Sequence, residues 1–147
     1  MGIKMIDDAV LEAFPGVRID YDNIAFYRGQ LEQRLLVNRC DECSMWHHPP
    51  RSVCPGCWSR AVTPTEVSGV GSIELLTILR QGPAQAGVDY TDGHALVAVE
   101  LDEQRGLRIA GTVVGTPAGQ LRIGDRVRVV WRTGVGPTPR PDFEVIR

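Results

Sequence analysis

All four cysteines of the chain lie between residues 40 and 57, where they form two C-x-x-C pairs. The pairs are Cys40 with Cys43 and Cys54 with Cys57. A tight turn that carries two thiolates directs both sulfurs towards one point, and two such turns supply the tetrahedral sulfur ligands that Zn²⁺ prefers in structural sites. The Pro-Gly dipeptide inside the second pair suits such a turn, because proline fixes one backbone angle and glycine accepts a positive φ. The spacing therefore predicts a bound metal, with zinc favoured over iron.

Two other roles for these cysteines fit the sequence less well. Disulfides within C-x-x-C pairs are strained, and nothing else in the chain suggests secretion. A redox dithiol of the thioredoxin type needs a C-x-x-C that opens a helix in a βαβ unit, and these surroundings do not have that pattern. Four thiolates leave zinc no open position for water, so we predict a structural ion. His47 and His48, between the pairs, are expected to pack or face solvent.

The cysteines require a small ribbon to position them, which we place at residues 35–65. Residues 35–37 are apolar and are predicted to form the strand that enters the first cysteine pair. Pro49 and Pro50 cannot continue a helix and set an extended course between the pairs. A ribbon of this size has little apolar material, so Trp46 and Trp58 are expected to cover the metal core.

Short helices are predicted before the ribbon, in a segment of residues 1–34. Ile6, Val10 and Phe14 recur every fourth residue within 4–14, and a second amphipathic pattern begins near residue 20. The second helix, which contains Gly29, is expected to pack on its own domain. For the first helix two interpretations stay open, which are packing on its own domain and docking on a partner chain.

From residue 66 onwards the hydrophobic pattern changes to a period of two, which is typical of strands. Four or five short strands with Gly-rich turns predict a small antiparallel barrel, because an open sheet would leave exposed edges. Glycines 69 and 71 at the start of the first strand suit a bulge. We therefore predict a mainly β protein with short N-terminal helices, in which a zinc ribbon precedes an OB-type five-stranded antiparallel barrel at residues 66–147.

Two features of this second half are candidates for function. Residues 81–93 form a long Gly-rich loop, which is either a mobile surface loop or a lid over a ligand or partner. The second feature is a strip of four arginines: Arg122, Arg126, Arg128 and Arg132. Arg126, Arg128 and Arg132 lie an even number of residues apart in one predicted strand, so their side chains are expected on the same face. They are either a solvated outer face or a site for the phosphates of a nucleotide-like ligand such as CoA.

Composition and charge restrict the function further. The net charge of −2 and the pI of about 5.9 argue against a nucleic-acid-binding protein, in which a basic footprint is expected. No apolar run is long enough to span a bilayer, and the N-terminus does not resemble a signal peptide. These features and the reduced cysteines predict a cytoplasmic location. No nucleotide-binding or catalytic signature is present, so the chain alone is not expected to be a complete enzyme.

Together these residues resemble a known family. The shared sequence features are Phe26-Tyr27-Arg28-Gly29-Gln30-Leu31, Arg39-Cys40-x-x-Cys43, Pro49-Pro50-Arg51, Cys54-Pro55-x-Cys57, Ser68-Gly69-x-Gly71, Val97-Ala98-Val99-Glu100-Leu101-Asp102 and Ile123-Gly124-Asp125-x-Val127-x-Val129. They are similar to those of the acyl-CoA-associated proteins with a rubredoxin-like zinc ribbon and an OB-fold, long filed as a domain of unknown function. The resemblance covers roughly residues 20–146.

The resemblance implies a non-catalytic accessory subunit. Members accompany thiolase-like enzymes or hot-dog-fold hydratases that act on acyl-CoA thioesters, and some are small subunits of thiolase-like aldolases in steroid side-chain breakdown. It implies zinc at the four cysteines and a barrel that binds or channels CoA, and no catalytic residue carries over. Two other hypotheses stay open, which are a nucleic-acid-binding zinc-ribbon and OB-fold module and a stand-alone thioesterase or hydratase.

Overall fold

The computed structural model describes residues 7–85 and 87–147. Residues 4–6 of the first predicted helix, including Ile6, lie outside the described residues, as does Ala86 of the predicted loop. The chain divides into two compact units, Met1–Glu66 and Val67–Arg147. No helix within the described residues has the length and apolarity needed to cross a membrane.

From residue 7 onwards, the first unit contains two short helices and a three-stranded antiparallel sheet. The helices are α1 (Asp8–Ala13) and α2 (Ile24–Leu31), and the strands are β1 (Leu36–Cys40), β2 (Trp46–His47) and β3 (Val62–Glu66). Their order in the sheet is β2-β1-β3. The central strand β1 therefore ends on Cys40, the first of the four cysteines.

The two helices pack against each other. Asp7 caps α1 by accepting a hydrogen bond from the backbone N–H of Val10 at 3.3 Å, and it also forms an ion pair with Arg28 of α2. Val10 is fully buried, and the ring of Phe14 lies 4.8 Å from that of Tyr27. Val10 and Phe14, the two residues of the predicted every-fourth-residue pattern that lie among the described residues, therefore both pack within the first unit.

Gly29 in α2 is required by close contact with β1. A glycine inside a helix costs stability, so its presence needs a packing reason. A Cβ atom at Gly29 would lie 2.7 Å from the carbonyl oxygen of Arg34 and 2.8 Å from Cγ of Leu36. The missing side chain therefore lets the helix approach the strand that leads to the cysteines.

The described residues of the second unit form a sheet of six strand segments. The strands are β4 (Val70–Leu79), β5 (His94–Leu101), β6 (Arg108–Gly111), β7 (Val113–Val114), β8 (Arg126–Arg132) and β9 (Arg140–Val145). Their order is β6-β5-β4-β8-β9-β7. The end strands β6 and β7 are one run of chain interrupted only by Thr112, so the six segments correspond to five runs. No ladder within the described residues joins β6 to β7, and the barrel is not closed.

Thr112 marks the point at which this run changes partner. Its hydroxyl donates to the carbonyl oxygen of Ala95 at 2.6 Å, and its own carbonyl accepts from Phe143 N–H at 2.9 Å. Before Thr112 the run pairs antiparallel with β5, and after it the run pairs parallel with β9. The prediction of purely antiparallel pairing is therefore wrong at this one ladder, because a period of two specifies a strand's faces but not its partner's direction.

Alternate residues of the strands form the core of this unit. The buried apolar side chains of the strands include Ile73, Val97, Val99, Leu101, Val127 and Phe143. The register of β4 with β5 shifts between Ile73 and Leu75, so the bulge lies at Glu74 and not at the glycines where we predicted it. Gly71 serves a different purpose, which is to let β4 and β5 approach closely.

Replacement of Gly71 by alanine is expected to destabilise the protein by about 2 kcal/mol, as overpacked cores do. The added Cβ would lie 2.1 Å from the carbonyl oxygen of Glu100 and 2.8 Å from Cγ1 of Val99. Gly119→Ala is the matched control, since no atom lies within 4 Å of its Cβ position. Urea unfolding of both variants checks the prediction. Equal midpoints would contradict it.

Candidate functional site

The two cysteine pairs lie on two turns of the same design. In each turn the residue after the second cysteine donates its N–H to the carbonyl of the first cysteine, from Ser44 to Cys40 at 3.0 Å and from Trp58 to Cys54 at 2.9 Å. Both Ser44 and Trp58 adopt a positive φ, of 65° and 66°. This left-handed residue turns the chain sharply, and as a result both sulfurs of each pair face the same point.

The four sulfurs are close enough to share one ion. All four lie within 4.8 Å of one another. The sulfurs of Cys40 and Cys57 are 3.5 Å apart, and those of Cys43 and Cys54 are 3.6 Å apart. A tetrahedral zinc site with Zn–S bonds of about 2.3 Å has S–S edges of about 3.8 Å. Each turn contributes one buried and one exposed cysteine. The donor set therefore fits a structural zinc ion.

The electrostatics of the cluster also call for a cation. The backbone N–H of Cys43 donates to the sulfur of Cys40 and lowers the pKa of that thiol to about 7. The backbone N–H of Ser59 favours the Cys57 thiolate, but interaction with the Cys40 sulfur and burial outweigh it and raise the pKa of Cys57 to about 12. Four sulfurs at this spacing are all deprotonated only when a metal ion balances their charge.

The two histidines between the cysteine pairs lie outside this cluster. His47 is buried, and its Nε2 donates to the backbone carbonyl of Arg51 at 3.2 Å, where Asn38 Nδ2 also donates at 3.0 Å. The ring of His48 packs 5.2 Å from that of Phe26. Burial, and next the charge of His47, lower the pKa of His48, so its ring is neutral at pH 7. Both rings act in packing, in line with the interpretation from the sequence.

The prediction that Trp58 covers the metal core is wrong. Its side chain is 82% exposed, because the left-handed backbone directs it away from the ribbon. Met45 lies against this turn instead, with its sulfur 2.6 Å from where a Cβ of Gly56 would be. Trp46 is half-buried, and the guanidinium of Arg39 lies 5.2 Å from the centre of its ring.

The arginine strip is largely neutralised within its own unit. Arg126 pairs with Asp102, Arg128 with Glu144, and Arg132 with Asp142, at 2.5, 2.6 and 2.6 Å. Arg122 donates to the carbonyls of Gly119 and Leu121. Asp142 is 2% exposed, and burial raises its pKa although Arg140 favours the charged form. Binding of CoA phosphates by this strip stays a prediction.

The loop of residues 81–93 folds back on itself. The hydroxyl of Tyr90 donates to the carbonyl of Pro83 at 3.0 Å, and the same ring fills the space beside Gly82. A Cβ atom at Gly87 would meet Val135 at 2.0 Å, so this loop touches the connection between β8 and β9. The loop is thus packed against its own unit, and its role as a lid stays a prediction.

Comparisons with known proteins match both halves of the chain. Residues 30–63 match the family described as "ChsH2, rubredoxin-like zinc ribbon domain", and residues 64–132 match "ChsH2, C-terminal OB-fold domain". Together these matches cover more than half of the chain. The matching ribbon family is described as a zinc ribbon. The family match and the geometry of the four cysteines therefore indicate the same metal.

Curated relatives are more distant. The chain is 28% identical over 117 residues to a probable enoyl-CoA hydratase alpha subunit of Thermomonospora curvata. The match covers 80% of this chain and 35% of that protein, so the chain spans about a third of its length. A DUF35 domain-containing scaffold protein of Pyrococcus furiosus is 28% identical over 99 residues, or 67% of this chain and 69% of that protein.

Solved structures share the fold. The structure titled "Ltp2-ChsH2(DUF35) aldolase" is similar with a TM-score of 0.77 and 26% identity, covering 88% of this chain and 98% of that one. A DUF35-family protein of unknown function from Sulfolobus solfataricus has a TM-score of 0.63 at 14% identity, covering 95% and 96% of the two chains. The chain therefore belongs to the ChsH2 family, whose members combine a rubredoxin-like zinc ribbon with a C-terminal OB-fold domain.

Proposed function

We propose that this chain is a non-catalytic scaffold subunit of an acyl-CoA-processing enzyme. Its partner is a thiolase-like chain that carries out thiolysis or retro-aldol cleavage. The substrate class is an acyl-CoA thioester, such as one derived from a steroid side chain or from a fatty or aromatic acid. The observation that carries the proposal is the similarity to a chain of an Ltp2-ChsH2 aldolase over almost the whole of that chain.

The chemistry of the metal cluster supports a structural role. Four thiolates complete the coordination shell of zinc, so neither water nor substrate can reach the ion. Among the described residues the four cysteines are the only group of three or more His, Cys, Asp or Glu side chains placed to hold a metal. The fold thus offers a metal-stabilised surface for a partner, and the partner supplies the catalytic groups.

A hydratase is a second candidate partner. The relative from Thermomonospora curvata is named as a probable enoyl-CoA hydratase subunit, and its length beyond the matched region leaves room for a further domain. A hot-dog-fold hydratase chain would therefore replace the thiolase-like chain in this version of the proposal. Both versions keep the same role for the ribbon and the OB-fold domain.

Affinity purification of the tagged chain from its native host tests the proposal. We expect a thiolase-like chain in near-equal amount and zinc in the product. We also expect the isolated chain to leave acyl-CoA thioesters unchanged, whereas the complex cleaves them. A zinc-loaded chain that elutes alone, or one that carries nucleic acid, would overturn the proposal. Recovery of a hydratase instead would favour the second version.

Zinc binding and partner binding are expected to fail together. We propose Cys40, Cys43, Cys54 and Cys57 as the zinc ligands, and Cys40→Ser removes one of them from the end of β1. Because the energy of structural zinc is folding energy, this variant should lose zinc, unfold the ribbon and release the partner. Zinc content, circular dichroism and co-purification measure the three effects. Glu42→Gln, in the same turn, is the control, and a Cys40→Ser variant that keeps the complex would refute the link.

Binding of CoA by the arginine strip remains a finer proposal. Any CoA phosphate must compete with Asp102 and Glu144 for the two arginines at 126 and 128. Exposed ion pairs are worth roughly 0.5 kcal/mol each, so the loss of two in Arg126→Gln with Arg128→Gln should weaken CoA affinity about fivefold. Calorimetry on the complex measures this, with Arg105→Gln and Arg147→Gln together as the control. Unchanged affinity would assign the strip to surface solvation.

A further inference from the structure

Two adjoining hollows on the first unit form one groove that is lined by both charged and apolar side chains. The larger, of about 330 Å³, lies between the start of α2 and residues 48–51. The smaller, of about 190 Å³, continues across the face of the ribbon. Asp22 and Arg51 line both hollows and so mark the place where they join. We call the two together the ribbon groove.

Two arginines give one end of the ribbon groove a positive charge. Arg51 and Arg60 both line the smaller hollow, and both side chains are exposed. Neither has a salt bridge among the described residues, in contrast to Arg126, Arg128 and Arg132. Two such guanidinium groups can together bind a carboxylate or phosphate. Asp22, at the junction of the two hollows, is the one carboxylate among the described residues that also line this hollow.

The other end of the ribbon groove is acidic and aromatic. Asp20 and Asp22 line the larger hollow together with Phe26 and Tyr27. Asp20 is held in place because its Oδ1 accepts from the backbone N–H of Asp22 at 3.0 Å. His48 also lines this hollow, and its lowered pKa leaves it uncharged at pH 7. A cation with an apolar stem fits this end.

The bipolar charge decides what kind of occupant fits. A polyanion such as CoA would meet the two aspartates at the acidic end, whereas an extended peptide can offer an acidic side chain to one end and a basic one to the other. The edge strand β3, which borders the groove, contains Pro64, and proline has no N–H for strand addition. Recognition of the peptide would therefore run through side chains.

We propose that the ribbon groove binds an extended segment of the partner chain. An acidic side chain of that segment lies on Arg51 and Arg60, and a basic side chain lies between Asp20 and Asp22 over the aromatic rings. This inference rests on the proposed function, since it assumes a partner chain, and it adds the surface and the charge pattern that bind it.

Charge reversal tests the basic end. Arg51→Glu with Arg60→Glu should weaken binding of the purified thiolase-like chain at least about tenfold and flatten the dependence of its Kd on salt. Arg105→Glu with Arg147→Glu, in the other unit, makes the same change of net charge and should leave Kd within about twofold. Zinc content equal to that of the unmodified chain verifies that each variant is folded. Wild-type affinity in the groove variant would overturn the groove while leaving the scaffold proposal intact.

A second experiment avoids altering the arginines. Tyr21, which is 70% exposed and lines the smaller hollow, is replaced by the photo-reactive p-benzoylphenylalanine. We expect cross-linking to a partner peptide that contains an acidic residue, and a change of that residue to lysine should restore binding of the Arg51→Glu, Arg60→Glu variant. Cross-linking to a segment without an acidic residue, or none in the intact complex, would refute the groove. Absence of any thiolase-like partner for the unmodified chain would instead refute the proposed function.

Discussion

The convergence of four cysteine sulfurs is the constraint on which the first unit depends. The part of this unit that the structure describes has two short helices and three short strands, and it buries few large apolar side chains. Units of this size rarely hold a fold through hydrophobic burial alone, and a metal is one of the usual supplements. The rest of the unit is arranged to serve the cluster: β1 delivers Cys40, and Gly29 lets α2 lie close beside that strand.

The second unit is organised by charge pairs on its surface and by alternation in its core. Arg108 of β6 pairs with Glu74 of β4, and Arg126 of β8 pairs with Asp102 just after the end of β5, so each of these ion pairs crosses one intervening strand. Exposed pairs of this kind contribute little to stability individually. Their larger effect is to cancel the positive strip that the sequence presents. The positive charge that this surface can offer to a ligand is therefore smaller than the number of arginines suggests.

Local chemistry is what the sequence predicted best. The metal cluster follows from two turns whose spacing is visible within 18 residues, and the strands follow from a period of two. The exposure of Trp58 could not be predicted, because it depends on one backbone angle. The parallel pairing of β7 with β9 depends on Thr112, whose partners lie 17 and 31 residues away. The arginine strip was also a poor guide to free positive charge, since the carboxylates that pair with it lie 10 to 24 residues away in the sequence.

The backbone of Arg51 is held by two side chains, from Asn38 of β1 and His47 of β2. Its carbonyl accepts both hydrogen bonds, and the two preceding prolines restrict the chain before it. Most of the conformational entropy of this segment is therefore lost when the ribbon folds. When a ligand binds Arg51, only the side chain of this residue still has to become ordered. Metal binding, which folds the ribbon, therefore lowers the entropic cost of recognition at this position.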